Sequence, residues 1–304
     1  MKKFLLITII FIISGCSMNT LLAQETKNSK ITILDQISLK YSKRGDVPFS
    51  EISDITYDEK SKELFMIGDK GYLYKFSANF DRKIKNLKYI NGFKLLNSKR
   101  KRKRFDSEGL TYNRRGELIV SFERKPKISK ISKRGVVSSK YRLPRKLKKK
   151  SFYRSKNKIF EAVAYHPRYG ILTASEYPLK NQKKRNQTIY SLRGKEWHFK
   201  TEKYKNSAVT AIEVMDDGNV LVLERAYSGL SNPFMITLKK VYINNCNKKK
   251  ECKSEVLLSF DSFDSLSMGN FEGLAKVGKK RFVMVSDNNN KSFLPTVLIY
   301  FEVK

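Results

Sequence analysis

The sequence predicts an all-β chain folded as a β-propeller, with five four-stranded blades favoured and the ring closed by the N-terminal strand. Three observations carry this expectation. One two-strand pattern recurs five times, starting at Ser53, Glu108, Glu161, Thr210 and Glu272, at intervals of 55, 53, 49 and 62 residues. Further strand-like runs follow these hairpins, giving units of the length of a propeller blade. The last unit is one strand short, and an unclaimed strand stands at 31–41.

Taken in order, 31–41 (Ile31-Thr32-Ile33-Leu34 onward) alternates apolar and polar residues with no partner nearby in sequence. Residues 53–57 and 63–69 form the first hairpin. Residues 108–112 and 117–123 form the second, around the turn Asn113-Arg114-Arg115-Gly116, and 127–132 and 136–143 complete that unit. The third hairpin is 161–165 with 170–176. The fourth is 210–214 with 219–224 around Asp216-Asp217-Gly218, followed by 234–243 and 255–260. The fifth unit supplies 273–275, 282–286 and 296–303; adding 31–41 completes it and removes an exposed sheet edge. The long first and fourth units leave room for a sixth blade. Helical periodicity of useful length is missing, which argues against a helical solenoid.

The chain has 304 residues, 63 Lys+Arg against 29 Asp+Glu, and a formal net charge of +34. At 40% hydrophobic and 12% aromatic residues it can fill a core, so global disorder is excluded as a class. Two His and three Cys leave little material for a zinc site or a disulfide-dense scaffold. Cys246 and Cys252 are six residues apart and could close a small loop as a disulfide in an oxidising compartment.

The first residues read as an address. Lys2 and Lys3 precede a ten-residue apolar stretch, 4–13, too short to span a bilayer. Ile13-Ser14-Gly15-Cys16 resembles a bacterial lipobox, which makes Cys16 the expected lipidation site and 1–16 a lipoprotein signal peptide. Residues 17–30 then form a polar tether, and 31–304 the propeller. Ser17 after the Cys favours the outer membrane, facing the periplasm; cleavage near Ala23, giving a secreted protein, is the alternative.

The repeat also places carboxylates. In a hairpin, the start of the first strand and the end of the second lie at the same end. Glu108 and Glu123, Glu161 and Glu176, and Glu272 and Asp287 are each 15 residues apart. Asp69 follows Ser53 by 16 residues, and Glu224 follows Thr210 by 14. If the first strand of each unit is innermost, all eight acids converge on one mouth of the channel. Crowded carboxylates take up protons or a cation, and Ca²⁺ accepts such hard oxygen ligands at flexible geometry. The expected metal ligands are therefore Glu108, Glu161, Glu272 and Asp287, with Asp69, Glu123, Glu176 and Glu224 behind them. The rival is structural: these acids accept backbone N–H bonds or pair with Arg225 and Arg124 to hold the blades.

Basic runs fall in loops at the same mouth: 99–104, 145–150 and Lys183-Lys184-Arg185. They make a collar suited to an anionic small molecule or polymer, with Arg225, Arg124 and Lys70 as the expected anion contacts. No Gly-x-Ser-x-Gly elbow accompanies either His, so a serine hydrolase is not expected, and His166 falls at the opposite end of its hairpin. Export argues against specific nucleic-acid binding; membrane contact would come through the lipid anchor.

The blocks Asp106-Ser107-Glu108-Gly109-Leu110, Phe160-Glu161-Ala162-Val163-Ala164, Leu221-Val222-Leu223-Glu224-Arg225 and Asn270-Phe271-Glu272-Gly273-Leu274-Ala275 resemble the phytase-like family, described by an esterase-like activity. Gly68-Asp69-Lys70-Gly71 and Val285-Ser286-Asp287-Asn288-Asn289 are similar to two more of its blocks, and the resemblance spans roughly 46–303. It implies a secreted β-propeller and a hydrolase. The Asp-rich run ending Pro-Ala-Ile/Val-Trp of alkaline propeller phytases does not occur, and the only Trp is Trp197. Two function classes follow: a calcium-assisted hydrolase of an anionic phosphoester or ester, and a non-catalytic propeller binding an anionic glycan, lipid or protein at the cell envelope.

Overall fold

The computed structural model describes residues 30–40, 47–101, 105–227, 229, 234–261, 269–291 and 295–304. The lipobox with Cys16, the alternative cleavage point near Ala23, most of the tether and residues 102–104 of the first basic run lie outside them.

Strand β1 (Ile31–Leu39) comes first in the chain. Blade 1 is β2 (Ile52–Asp58), β3 (Glu63–Gly68), β4 (Tyr72–Phe80) and β5 (Ile84–Lys94). Blade 2 is β6 (Ser107–Tyr112), β7 (Leu118–Phe122), β8 (Lys127–Ile131) and β9 (Val137–Lys140). Blade 3 is β10 (Phe160–His166), β11 (Gly170–Ser175), β12 (Asn186–Ser191) and β13 (Glu196–Lys200). Blade 4 is β14 (Ala208–Val214), β15 (Val220–Ala226), β16 (Met235–Cys246) and β17 (Cys252–Asp261). Blade 5 is β18 (Asn270–Gly278), β19 (Arg281–Asp287), β20 (Thr296–Val303) and, as its outer strand, β1. Every pairing between these strands is antiparallel; β1 runs against β20 from Ile31 opposite Val303 to Leu39 opposite Thr296.

The innermost strands β2, β6, β10, β14 and β18 touch in cyclic order, which closes the ring. Five blades, not six, use the chain. The long fourth unit is spent on long strands, with β16 and β17 of 12 and 10 residues. The first is spent the same way on β4 and β5, of 9 and 11 residues. Helix among the described residues is limited to two short 3-10 turns, Arg145–Leu147 and Lys150–Phe152.

Hydrophobic residues lie in five sandwiched layers, one between each pair of neighbouring blades. Phe65, Leu73, Leu118 and Val120 fill the layer between blades 1 and 2. Leu221, Leu223, Phe271 and Phe282 fill that between 4 and 5. Both faces of the second strand of each of these blades are therefore buried, which is why β3, β7 and β11 read as nearly continuous apolar runs.

Near the axis the inner strands approach so closely that side chains become obstacles. A Cβ on Gly109 would lie 2.6 Å from the Val163 nitrogen and 2.8 Å from Ser121 Oγ. On Gly273 it would lie 2.6 Å from Val285 Cγ1 and 2.8 Å from Asp54 Cα. Backbone cannot retreat as a flexible side chain can. Gly109→Ala is expected to destabilise the protein by about 2 kcal/mol or more, read as a shift in urea midpoint at constant slope. An unchanged midpoint would mean the ring breathes more than this packing allows.

Cys246 and Cys252 are joined, with an S–S distance of 2.13 Å, at the β16–β17 turn. That turn docks on blade 3, where the His198 N–H donates to the Lys250 carbonyl at 2.8 Å. His166 is buried in packing, its Nδ1 accepting from the Arg168 and Tyr169 N–H groups, so Nε2 carries the proton toward the Gly218 carbonyl.

Candidate metal centre

One irregularity repeats at the start of all five inner strands. Pairing jumps from Ile52–Gly68 to Asp54–Ile67, from Phe160–Ser175 to Ala162–Ala174, from Val209–Glu224 to Ala211–Leu223, and from Phe271–Ser286 to Gly273–Val285. In blade 2 it jumps from Ser107–Phe122 to Leu110–Val120, and the Gly109 N–H turns to Ser121 Oγ at 2.8 Å. Each is a β-bulge, a device that re-aims one side chain out of the alternation. The bulged residues are Ser53, Glu108, Glu161, Thr210 and Glu272. These positions are the unit starts of the sequence; Glu108, Glu161 and Glu272 are brought within reach of one another, whereas the Thr210 hydroxyl donates to the Leu223 and Phe271 carbonyls at 3.4 and 3.3 Å.

Three carboxylates form the tightest group. One oxygen each from Glu123, Glu161 and Glu176 lies within 4.8 Å of the others. Burial pushes the Glu161 carboxyl well up, and repulsion from Glu176, Glu123 and Glu272 adds to it. Its Oε2 is buried with no hydrogen-bond partner. Glu123 is pushed up to about 8 by burial, then by Glu176 and Asp106, with Lys158 pulling the other way. Glu108 is pushed well up by burial and by Glu161, Glu123 and Glu272. Asp287 rises to about 8 through burial and the Glu272 charge, and Asp69 to about 6 through burial and Glu51.

Among the described residues, three cations reach this cluster. Arg225 donates through Nη1 to Asn270 Oδ1 at 2.7 Å and to Glu272, and its Nη2 lies 3.7 Å from Glu176. Lys158 meets Glu176 at 2.6 Å, and Lys70 pairs with Glu51. Against these stand nine acids: Glu51, Asp69, Asp106, Glu108, Glu123, Glu161, Glu176, Glu272 and Asp287. Among the described residues the local balance is negative inside a strongly positive chain, a setting that favours uptake of protons or a cation.

Seven of the eight acids singled out in the sequence thus come together; Glu224 does not. Its carboxylate accepts from the Glu202 N–H at 2.8 Å and Ser207 Oγ at 3.0 Å, and pairs with buried Lys239 at 2.9 Å. It serves the layer between blades 3 and 4 as a structural anchor. The sequence carried the signal: Glu224 sits 14 residues after Thr210 where three other units have 15, and residue 15 is Arg225. Arg225 pairs with Ala208 as Asp287 pairs with Asn270, so it holds an acid's place with opposite charge. Of the expected anion contacts, Arg225 and Lys70 are engaged by carboxylates, and Arg124 is exposed in the turn after β7.

Glu51, Asp106 and Asn270 were missed. Each lies two residues before a bulged position, so extending the repeat upstream would have found them. Asp54 was missed as well, at the small-residue position that Gly109, Ala162 and Gly273 occupy elsewhere. Its carboxylate accepts the N–H groups of Ile55 at 2.8 Å, Leu110 at 2.7 Å and Leu274 at 3.1 Å, stitching three blades. Asp54 and Glu224 therefore play the blade-holding part, whereas Glu161 has no such bonds.

The family model described as "Phytase-like: Esterase-like activity of phytase" matches residues 47–290. No curated protein sequence matches the chain. The solved structure of a luciferin-regenerating enzyme is similar over 84% of this chain and 92% of that one, at 9% identity and a TM-score of 0.44, too distant for its activity to bear on this protein. The family match begins at the approach to blade 1 and ends just past Asp287, so it takes in all the gathered carboxylates: the chain belongs to the phytase-like family.

Proposed function

We propose that this protein is a cation-assisted hydrolase of an anionic phosphoester or ester, working at the mouth of the propeller channel. The observation that carries the reading is Glu161: a carboxylate with one buried, unbonded oxygen, within 4.8 Å of two more carboxylates. Such an oxygen is costly to leave unpartnered, and a hard divalent cation satisfies it. Glu123, Glu161 and Glu176 would hold the ion, with calcium the first choice for an all-oxygen site. A cation there supplies positive charge to the ester oxygens and to water.

The chain's own groups supply the rest. Arg225 fixes Glu272, and Lys158 fixes Glu176, so two members of the cluster keep their orientation when charge changes nearby. Glu108, pushed well up by burial and by the charges of Glu161, Glu123 and Glu272, is the carboxyl suited to act as general acid toward a leaving group. In the same reading the enzyme is a lipoprotein, anchored at Cys16 and facing the periplasm, whose natural substrate is an anionic small molecule or polymer of the envelope.

The test is turnover of a phosphomonoester and carboxylic-ester panel by the purified protein, with calcium and with chelator. Calcium-dependent hydrolysis reduced at least 100-fold by Glu161→Gln is expected. Binding of anionic ligands without turnover, unaffected by Glu161→Gln, would instead establish the non-catalytic scaffold.

A further inference from the structure

We propose that a cleft beside the carboxylate cluster, between blades 3 and 4, is the binding pocket for a ring-bearing phosphate monoester of the aryl or nucleoside type. The proposal rests on the hydrolase reading for its purpose but not for its binding chemistry. The cleft has a volume of about 510 Å³, within the range of small-molecule sites. Five cations line it: Arg154, Lys158, Lys184, Arg185 and Lys205. Its single carboxylate, Glu202, is already met by Lys239 at 2.8 Å.

Two of the cations are held in place without being neutralised. Arg154 donates Nε to the Pro178 carbonyl at 2.9 Å and Nη2 to that of Gln182. Arg185 donates Nε and Nη2 to the Thr201 carbonyl at 3.2 and 2.7 Å. Carbonyl partners fix a guanidinium and leave its full charge to face the cleft. Lys158 is paired with Glu176; gathering the other four like charges is unfavourable unless an anion joins them, and a phosphate dianion is the ligand that guanidinium and ammonium groups bind together.

Two tyrosines give the ligand its other half. Tyr177 and Tyr204 line the same cleft; Tyr204 is 42% exposed, and Lys158 Nζ stands 5.0 Å from the Tyr177 ring centre. Exposed ring faces beside cations suit a flat group carried on a phosphate. Lys158 belongs to both places, lining the cleft and pairing with Glu176 of the acidic triad. A phosphate bound at the Lys158 end would therefore lie against the carboxylate cluster. Arg225 and Lys70, expected from sequence to take the anion, are occupied by carboxylates, whereas Arg154 and Arg185 in the cleft are held by carbonyls.

Calorimetry of the full chain with phenyl phosphate and with inorganic phosphate, in calcium-free buffer, tests this. Phenyl phosphate is expected to bind at least tenfold more tightly than inorganic phosphate, and both to weaken as salt rises. Lys184→Ala/Lys205→Ala should weaken both at least tenfold while calcium affinity stays within twofold. Tyr204→Ala should erase the preference for phenyl phosphate. Undetectable binding of phenyl phosphate, or equal affinity in the double variant, overturns the pocket. A flat calcium titration with phenyl phosphate still bound overturns the metal reading and leaves the pocket standing.

Discussion

Between about pH 6.5 and 8.5, without divalent cation, the protein is expected to lose roughly 2–3 kcal/mol of stability, a fall of about 5 °C in melting temperature, and saturating calcium should restore most of it. The direction follows from proton counts. Glu123 and Asp287 start from ordinary values of 4.5 and 3.8 and are pushed to about 8 in the folded protein. Between those limits the native state binds more protons than the unfolded chain, so stability falls as pH rises through the folded value. Asp69, at about 6, contributes mainly below this window. His166 and His198 are both pushed below 6.5 by burial and act in the opposite direction, but only on the acid side, which leaves the chosen window to the carboxylates. Partial exposure of Glu123 and sharing of protons within the cluster keep the figure well under the sum of separate shifts. A cation that binds only the folded, deprotonated cluster reverses the loss by mass action. Thermal melts at several pH values, with calcium and with chelator, check it. A melting temperature that climbs across the window, or one indifferent to calcium, would sink the prediction; Asp287→Asn should flatten the slope.

Arg225→Leu is expected to destabilise the protein by roughly 3–5 kcal/mol near pH 8, and by distinctly less near pH 6. Arg225 is largely buried, pairs with Glu272 and places its Nη2 3.7 Å from Glu176, so removing it leaves Glu272 without its cation and Glu176 with Lys158 alone. The remaining carboxyls can answer only by taking protons, and that response is fuller at lower pH. Combining Arg225→Leu with Glu272→Gln should recover about half the loss, because the two groups are directly coupled. Chemical denaturation at the two pH values provides the measurement. A loss under about 1 kcal/mol at both would show that Arg225 does not neutralise the cluster.

The ring was legible because its units repeat a short-range grammar: alternating strands, Gly-bearing turns and a constant hairpin length. The gathering of seven acids was legible for the same reason, since hairpin offsets of 15 or 16 residues return the chain to the same end. The bulges were not. A bulge is an extra residue within one strand, and its signature depends on the partner's register, which a single sequence does not display. Glu224 shows the resulting error. Consecutive strand residues face opposite ways, so one residue of offset separates a place at the mouth from a place beside Lys239. Lys239 itself lies mid-strand in β16, 15 residues on, and nothing local announces that it will be buried against an acid. That acids would pair with Arg225 was one of two open readings; that they come from blades 3 and 5, as Glu176 and Glu272, depends on which blades become neighbours.

Closure by β1 also fixes where the polypeptide enters the ring. Ile31 lies opposite Val303, and the Lys304 N–H donates to the Lys30 carbonyl, so both chain ends emerge together at the floor, where the hairpin turns are. The acids open at the ceiling. A support that took hold of the polypeptide at Lys30 would grip the ring from that end, and the charged aperture would face away from it.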